Sequence, residues 1–399
     1  MRAGIVRFVA MLLALAMAIS AAGCRDAVEI EQVGFVIGMG IDEDDDGGVK
    51  VILEVAMPTP KPEDLAKEES FAITARGATL WDAILNGDAQ SSLRVLLGHV
   101  RCLVISERFA RAGITRLLDA LVRDERFRYK AWVVVTADPI EDVMAASGVG
   151  GKMAAMYIND LMQTGAQIAG VPSSRFVDLI TSLEQPGDDP LLAAIAIVKQ
   201  PESGGEEEKG DRLMLRGSAA FRDGKMVGWL TENESAAALV IRNKISGWSF
   251  LHEIAGSGGG TAGLSLLTAR TTVKLPPAAL RDPDLLPGAA VELRVKGTVD
   301  MHELLSEKQI LTQESVREFE ADVSSRVERD IRMLIQSMQH RLDADLIGLG
   351  ELFRRRMAYS EWTNVAGKWH EVFPTLNISV VADIGARKRG MTMRSPSGE

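Results

Sequence analysis

The first 24 residues constrain the rest of the chain most, because they set the compartment in which it folds and the cross-links open to it. Arg2 and Arg7 form a basic start, Phe8 to Ile19 is an unbroken run of apolar and small residues, and Ala21-Ala22-Gly23 lead into Cys24. That order is the pattern of a secretory leader. The apolar run is too short to cross a bilayer, which takes roughly 20 apolar residues.

Ala21-Ala22-Gly23-Cys24 resembles a bacterial lipobox. In that motif the cysteine thiol takes a diacylglyceryl group and becomes the acylated N-terminus after cleavage. Residues 1–23 then read as a signal peptide and Cys24 as the lipid-attachment residue. Each buried CH₂ contributes about 0.8 kcal/mol, so several acyl chains on one residue hold a protein where a single chain does not. Beyond Cys24 the only cysteine is Cys102, within the strand-like run Val100-Arg101-Cys102-Leu103-Val104-Ile105. A thiol in such a run acts as a small buried hydrophobe. One cysteine makes no intramolecular disulfide, so the fold must rest on buried apolar surface. At 399 residues, 46% of them hydrophobic, the chain has enough of it. Its net charge of −10 argues against duplex nucleic acid, whose binding rests on neutralising phosphates.

Periodicity gives a mixed α/β chain of the α+β class, read as three mixed α/β domains with largely antiparallel and mixed sheets. The first domain is predicted over 24–200. Val33 to Ile41 and Val49 to Met57 read as strands around an acidic turn. A strand at Phe71 to Thr74, a helix near Leu80 to Leu85 and a strand His99 to Ile105 follow. A helix from Glu107 to Arg123 and a strand Tyr129 to Thr136 complete one crossover unit. Helical patterns over Lys152 to Gln163 and Ser173 to Leu183 lead to a strand at Ala193 to Lys199. Residues 201–211, rich in Gly and Glu, read as a linker. A small middle domain is predicted over 212–255: a hairpin turning at Asp223-Gly224, then a helix whose start carries Thr231 and Glu234 at capping-box spacing. The third domain, 262–392, has two long strands, a helix from about Gln313 to Leu346, a helical stretch near Glu351, Trp362 and Trp369, and an alternating last strand.

Four patterns invite a chemical reading, and spacing argues against each. Asp42, Asp44, Asp46 and Gly47 match half of an EF-hand loop, but Leu53 stands where the bidentate Glu belongs, and strands flank the turn. His302-Glu303-Leu304-Leu305-Ser306 opens like HExxH, with Ser306 in place of the second zinc ligand. Gly258, Gly260 and Gly263 fit GxGxxG, yet a strand follows them rather than a helix N-terminus. His99 and Cys102, three apart on a strand, point to opposite faces. None of the five histidines has another at metal-ligand spacing. No catalytic site, no metal and no cofactor other than the covalent lipid on Cys24 is expected. The small basic runs Arg354-Arg355-Arg356 and Arg387-Lys388-Arg389 read as solvated surface, with anionic lipid headgroups as the sharper alternative.

Past Cys24, Val36-Ile37-Gly38-Met39-Gly40-Ile41-Asp42 resembles the opening of Ger(x)C proteins, the lipoprotein C subunits of spore germinant receptors. Further blocks follow in the same order: Gly77 to Ile84, Leu97-Gly98-His99-Val100-Arg101, Ala131-Trp132-Val133-Val134-Val135 and Gly228-Trp229-Leu230. Asp345-Leu346-Ile347-Gly348-Leu349-Gly350-Glu351 then continues to Trp369 and Phe373-Pro374. No block is specific alone; their order is. The resemblance implies a lipid-anchored, non-catalytic protein on the outer face of the inner spore membrane. It would assemble with integral membrane A and B subunits in a complex that responds to small nutrients. The rival readings are a solute-binding lipoprotein of a transporter and a tethered envelope hydrolase.

Overall fold

The computed structural model describes residues 32–57, 70–146, 152–165, 170–199, 212–254, 259–306 and 313–387, with isolated positions between 4 and 17. Cys24 and the linker expected at 201–211 lie outside the described residues. Among those described, no helix is long and apolar enough to cross a membrane.

The chain folds around two sheets in an α+β arrangement. The first is mixed and nine-stranded: β1 (Val33–Glu43), β2 (Val49–Ala56), β3 (Ser70–Gly77), β4 (Arg94–Leu96), β5 (Cys102–Ser106), β6 (Trp132–Thr136), β7 (Leu191–Val198), β8 (Arg212–Arg222) and β9 (Lys225–Leu230). Its order is β3-β2-β1-β5-β6-β7-β8-β9, with β4 beside β1. Strands β1, β5, β6 and β7 run parallel; the outer pairs are antiparallel. Every residue of β5 and β6 is buried, the mark of strands covered on both faces. One cover consists of α1 (Leu80–Gln90), α2 (Glu107–Ala112), α3 (Thr115–Arg123) and, later in the chain, Phe176–Glu184. The other consists of α4 (Ile140–Ala145) and α5 (Ala154–Asp160).

The second sheet is β10 (Trp248–Glu253), β11 (Gly260–Lys274), β12 (Ala290–Ser306) and β13 (Asn377–Ala386), paired in that order, with only the last pair parallel. If α6 denotes Phe176–Glu184, α7 (Glu232–Ile241) and α8 (Gln313–Gln336) complete the main helices. Helix α8 buries Phe319, Val323, Val327, Ile331 and Leu334 in the core that also holds α7 and the inner face of the second sheet. Helix α7 is buried from Glu234 to Ile241, as a helix packed on all sides must be. That same core takes in Leu191, Ala220 and Leu230 from β7, β8 and β9, so the two sheets share it.

Three sequence expectations change. Residues 212–255 form no separate middle domain. The hairpin β8–β9 pairs onto β7 and extends the first sheet, while Trp248–Glu253, a strand the sequence reading passes over, starts the second. A lone hairpin buries too little surface to stand by itself, and the open edge of β7 supplies a partner. Second, the helix expected from Glu107 to Arg123 breaks in two. Gly113 turns at φ 125, and the Ile114 N–H is used by the Gly224 carbonyl at 2.8 Å, which ties the helix break to the β8–β9 turn. Third, the long helix is regular only to Gln336. A wider turn follows over Ser337–Leu342, and Asp343, left-handed at φ 49, ends it. The capping box at Thr231 and Glu234 forms as its spacing predicts.

Candidate functional site

The Gly38-Met39-Gly40-Ile41-Asp42 run has a packing reason at each position. A Cβ on Gly38 would lie 2.4 Å from Ala155 Cβ, and one on Gly40 would lie 2.8 Å from Met144 Cγ. The missing side chains let α4 and α5 lie against β1. Met39 and Ile41 point into the opposite core. At the strand end, Asp42 accepts from Ser106 Oγ, from Arg108 Nη2 at 3.1 Å and from Lys50 Nζ at 3.2 Å. Burial opposes ionisation there, but these partners together hold its carboxyl below the usual range.

Two further acids of that turn are matched by cations. Asp44 pairs with Arg76 at 3.1 Å and Asp45 with Arg108 at 3.0 Å, and Gly47 turns the hairpin at φ 77. Millimolar calcium is therefore expected to leave the melting temperature unchanged, since a ligand held only by the native state must raise it. A rise that disappears in Asp44→Ala would contradict this. His302 donates to or accepts from Ser265 Oγ at 2.9 Å on the exposed side of the second sheet. His99 packs edge-on against Phe35, 4.6 Å between centroids, and Cys102 is fully buried. Burial, then the nearby Glu54 carboxylate, push the Cys102 thiol well above its ordinary range, so it is no ready nucleophile. Glu54 itself is buried and receives the Ala154 and Ala155 N–H groups at 2.9 and 2.8 Å.

The densest polar construction is one that sequence reasoning passes over. It lies where the segment before β7 meets the segment after α8. The Asp189 N–H donates to the Asp345 carbonyl at 3.1 Å, and the Asp345 N–H returns a bond to Asp189 Oδ2 at 2.7 Å. The Asp345 carboxylate accepts from Leu349 N–H at 3.0 Å, Gly350 N–H at 2.7 Å and Trp369 Nε1 at 2.9 Å. Arg242, following α7, closes the third side: it donates to the Leu346 carbonyl at 2.6 Å, to Asp188 Oδ1 at 2.7 Å and to the Asp189 carbonyl at 3.0 Å. The Glu351 N–H donates to the Gly187 carbonyl at 3.2 Å.

Two glycines there have different reasons. Gly348 sits at φ 68, a turn position. Gly350 is helical and is needed for contact: a Cβ would lie 2.5 Å from Gly187 Cα and 2.8 Å from the Trp369 indole. Trp369 is 1% exposed and packs on Phe353, Trp362 and Phe373.

Burial raises two carboxyls of this junction, Asp345 and Asp189. Asp345 goes up to about 6, restrained by its three donors and by Arg242. Asp189, with fewer donors, is pushed up to about 8 by burial and then by the Asp345 carboxylate. Nδ1 of His370 is buried without a hydrogen bond, 3.8 Å from the Asp189 carboxylate. Its hydrogen bonds tie one sheet to the other.

These features define a class: a two-sheet α+β body joined at a buried acidic junction. Residues 26–197 match the spore germination protein N-terminal domain, and residues 216–390 match the spore germination B3/GerAC-like C-terminal domain. The chain belongs to this spore germination (GerAC-like) family. It is 24% identical to spore germination protein KC of Bacillus subtilis (strain 168) over 389 residues, 92% of each chain, and 20% identical to spore germination protein B3 of the same organism, covering 90% of this chain and 91% of that one. The fold matches the crystal structure of the GerBC protein with a TM-score of 0.52 at 17% identity, covering 90% of this chain and all of that one.

Proposed function

We propose that this chain is the C subunit of a spore nutrient germinant receptor, anchored through lipid on Cys24 to the outer face of the inner spore membrane. In this reading it is needed for assembly with the integral membrane A and B subunits and for signalling, and it acts without turnover. The observation that carries the reading is the colinear match of both halves to the germination family, joined by a junction that holds them as one body. A rigid body on a lipid tether suits a scaffold. The transporter-type solute binder fits less well, because it uses two similar lobes around an open cleft. Here the sheets have nine and four strands and share a core.

Anchoring has its own test. Mass spectrometry of the mature protein is expected to find an acylated N-terminus at Cys24, and Cys24→Ala is expected to abolish acylation and the response of the cognate receptor. An unmodified N-terminus starting at another residue would contradict the anchor.

A further inference from the structure

A groove of about 730 Å³ opens beside the junction, lined by β11, by Ile241 at the end of α7 with residues 242–244 after it, and by several residues between 347 and 356. Five cations and two carboxylates line it: Arg242, Lys244, Arg270, Arg355 and Arg356 against Asp188 and Glu351. Both carboxylates are spent, Asp188 on Arg242 at 2.7 Å and Glu351 on Arg355 at 2.7 Å and on Arg354. Lys244, Arg270 and Arg356 are exposed, and among the described residues no carboxylate pairs with them. A surplus of three positive charges thus gathers on a chain whose net charge is −10.

The wall is preset as well. Asn243, left-handed at φ 56, brackets Thr271: its side-chain amide donates to the Thr271 carbonyl at 3.0 Å and its Oδ1 accepts the Thr271 N–H at 2.6 Å. The backbone segments that carry Lys244 and Arg270 are therefore tied to each other. Three residues beyond Arg356, Tyr359 is 86% exposed. Its helix packs against the turn carrying Leu285, 51% exposed. Three exposed cations lining one groove match the headgroup level of a bilayer, where charge meets phosphate, and Tyr359, three residues past Arg356 in sequence, is an exposed aromatic of the kind found at that boundary. The larger groove between α1 and α3 lacks this character, because its arginines are neutralised: Arg116 by Glu43, Arg123 by Asp119 and Arg126 by Asp124.

We propose that the groove holding Lys244, Arg270 and Arg356 binds the phosphate headgroup of an anionic phospholipid, so that this face of the protein lies on the membrane. The proposed anchoring enters only by bringing a bilayer near, so the test removes it. The chain from residue 25 to 399, which lacks both the apolar leader and Cys24 and keeps every residue described from 32 onward, is compared in flotation with vesicles of pure phosphatidylcholine and of phosphatidylcholine with phosphatidylglycerol. The expected result is binding that rises with the phosphatidylglycerol fraction and falls at least tenfold in the triple variant Lys244→Glu, Arg270→Glu, Arg356→Glu. Reversing three exposed cations elsewhere, Arg123→Glu, Arg216→Glu and Lys296→Glu, changes net charge equally and is expected to leave most binding intact. Equal loss in both triple variants, or undiminished binding in the first, would overturn the proposal. So would a parent indifferent to phosphatidylglycerol. Complete release by millimolar inorganic phosphate at constant ionic strength would reassign it to free phosphate. Each of these outcomes leaves the lipid on Cys24 to be judged separately by mass spectrometry.

Discussion

Gly350→Ala is expected to destabilise the folded chain by about 3 kcal/mol, because the added methyl has nowhere to go. Its Cβ would lie 2.5 Å from backbone at Gly187 and 2.8 Å from a fully buried indole, and neither can swing aside like the tip of a flexible side chain. Relief by moving helix 349–354 would stretch the bonds from Leu349 and Gly350 to the Asp345 carboxylate, leaving a buried acid short of donors. For a chain of this size the loss lowers the melting temperature by roughly 3–5 °C. Gly367→Ala is the internal control, since no atom lies within 4 Å of a Cβ there and its φ is −71. That substitution is expected to be neutral or slightly stabilising. Equal melting temperatures for the two variants would mean that the junction is not close-packed.

Asp189→Asn is expected to make the protein more stable than its parent in alkali, although it removes a charge. The folded-state pKa of Asp189 is raised to about 8, from an ordinary value near 4. A group raised in this way contributes stability that is complete below about pH 4 and is lost as pH climbs through 8. Asp345, raised to about 6, acts in the same direction over a narrower window. Asparagine keeps an oxygen to accept the Asp345 N–H at position 189 while never ionising. The parent should therefore melt progressively lower between pH 5 and pH 9, and Asp189→Asn should lose part of that slope, gaining on the order of 2 kcal/mol over the parent at pH 9. Thermal scans at pH 5, 7 and 9 read it. Identical slopes for parent and variant would show that Asp189 ionises freely in the native protein.

What the sequence makes legible follows range. Local signals transfer well: the period-two pattern of Val49, Val51, Leu53 and Val55, the Asp223-Gly224 turn, the Thr231 and Glu234 capping box and the stripe of Val323, Val327, Ile331 and Leu334 all form as their spacing predicts, though the strand stops at Ala56, one residue short of Met57. The boundaries that fail are set by distant partners. Nothing near Gly113 announces that Ile114 will be bonded to Gly224, and nothing near Arg212 says that the hairpin joins β7. The junction is hidden for the same reason. Asp189 and Asp345 lie 156 positions apart, and each alone reads as a polar residue in a turn. The one local signal is the run of Gly348, Gly350 and an acid ahead of buried tryptophans. It marks tight packing without naming Gly187 as the partner. The proposed lipid on Cys24 rests on the motif alone, and Cys24 lies outside the described residues.

The central claim, that this chain works as an assembled and tethered receptor subunit, is tested most directly by purifying the tagged full chain from spore membranes in mild detergent and identifying what comes with it. The account predicts two integral membrane proteins, one with soluble domains and one resembling amino-acid transporters, recovered with a chain whose N-terminus is acylated Cys24. Recovery of the chain alone, or with a permease and an ATPase in place of those two subunits, would contradict it.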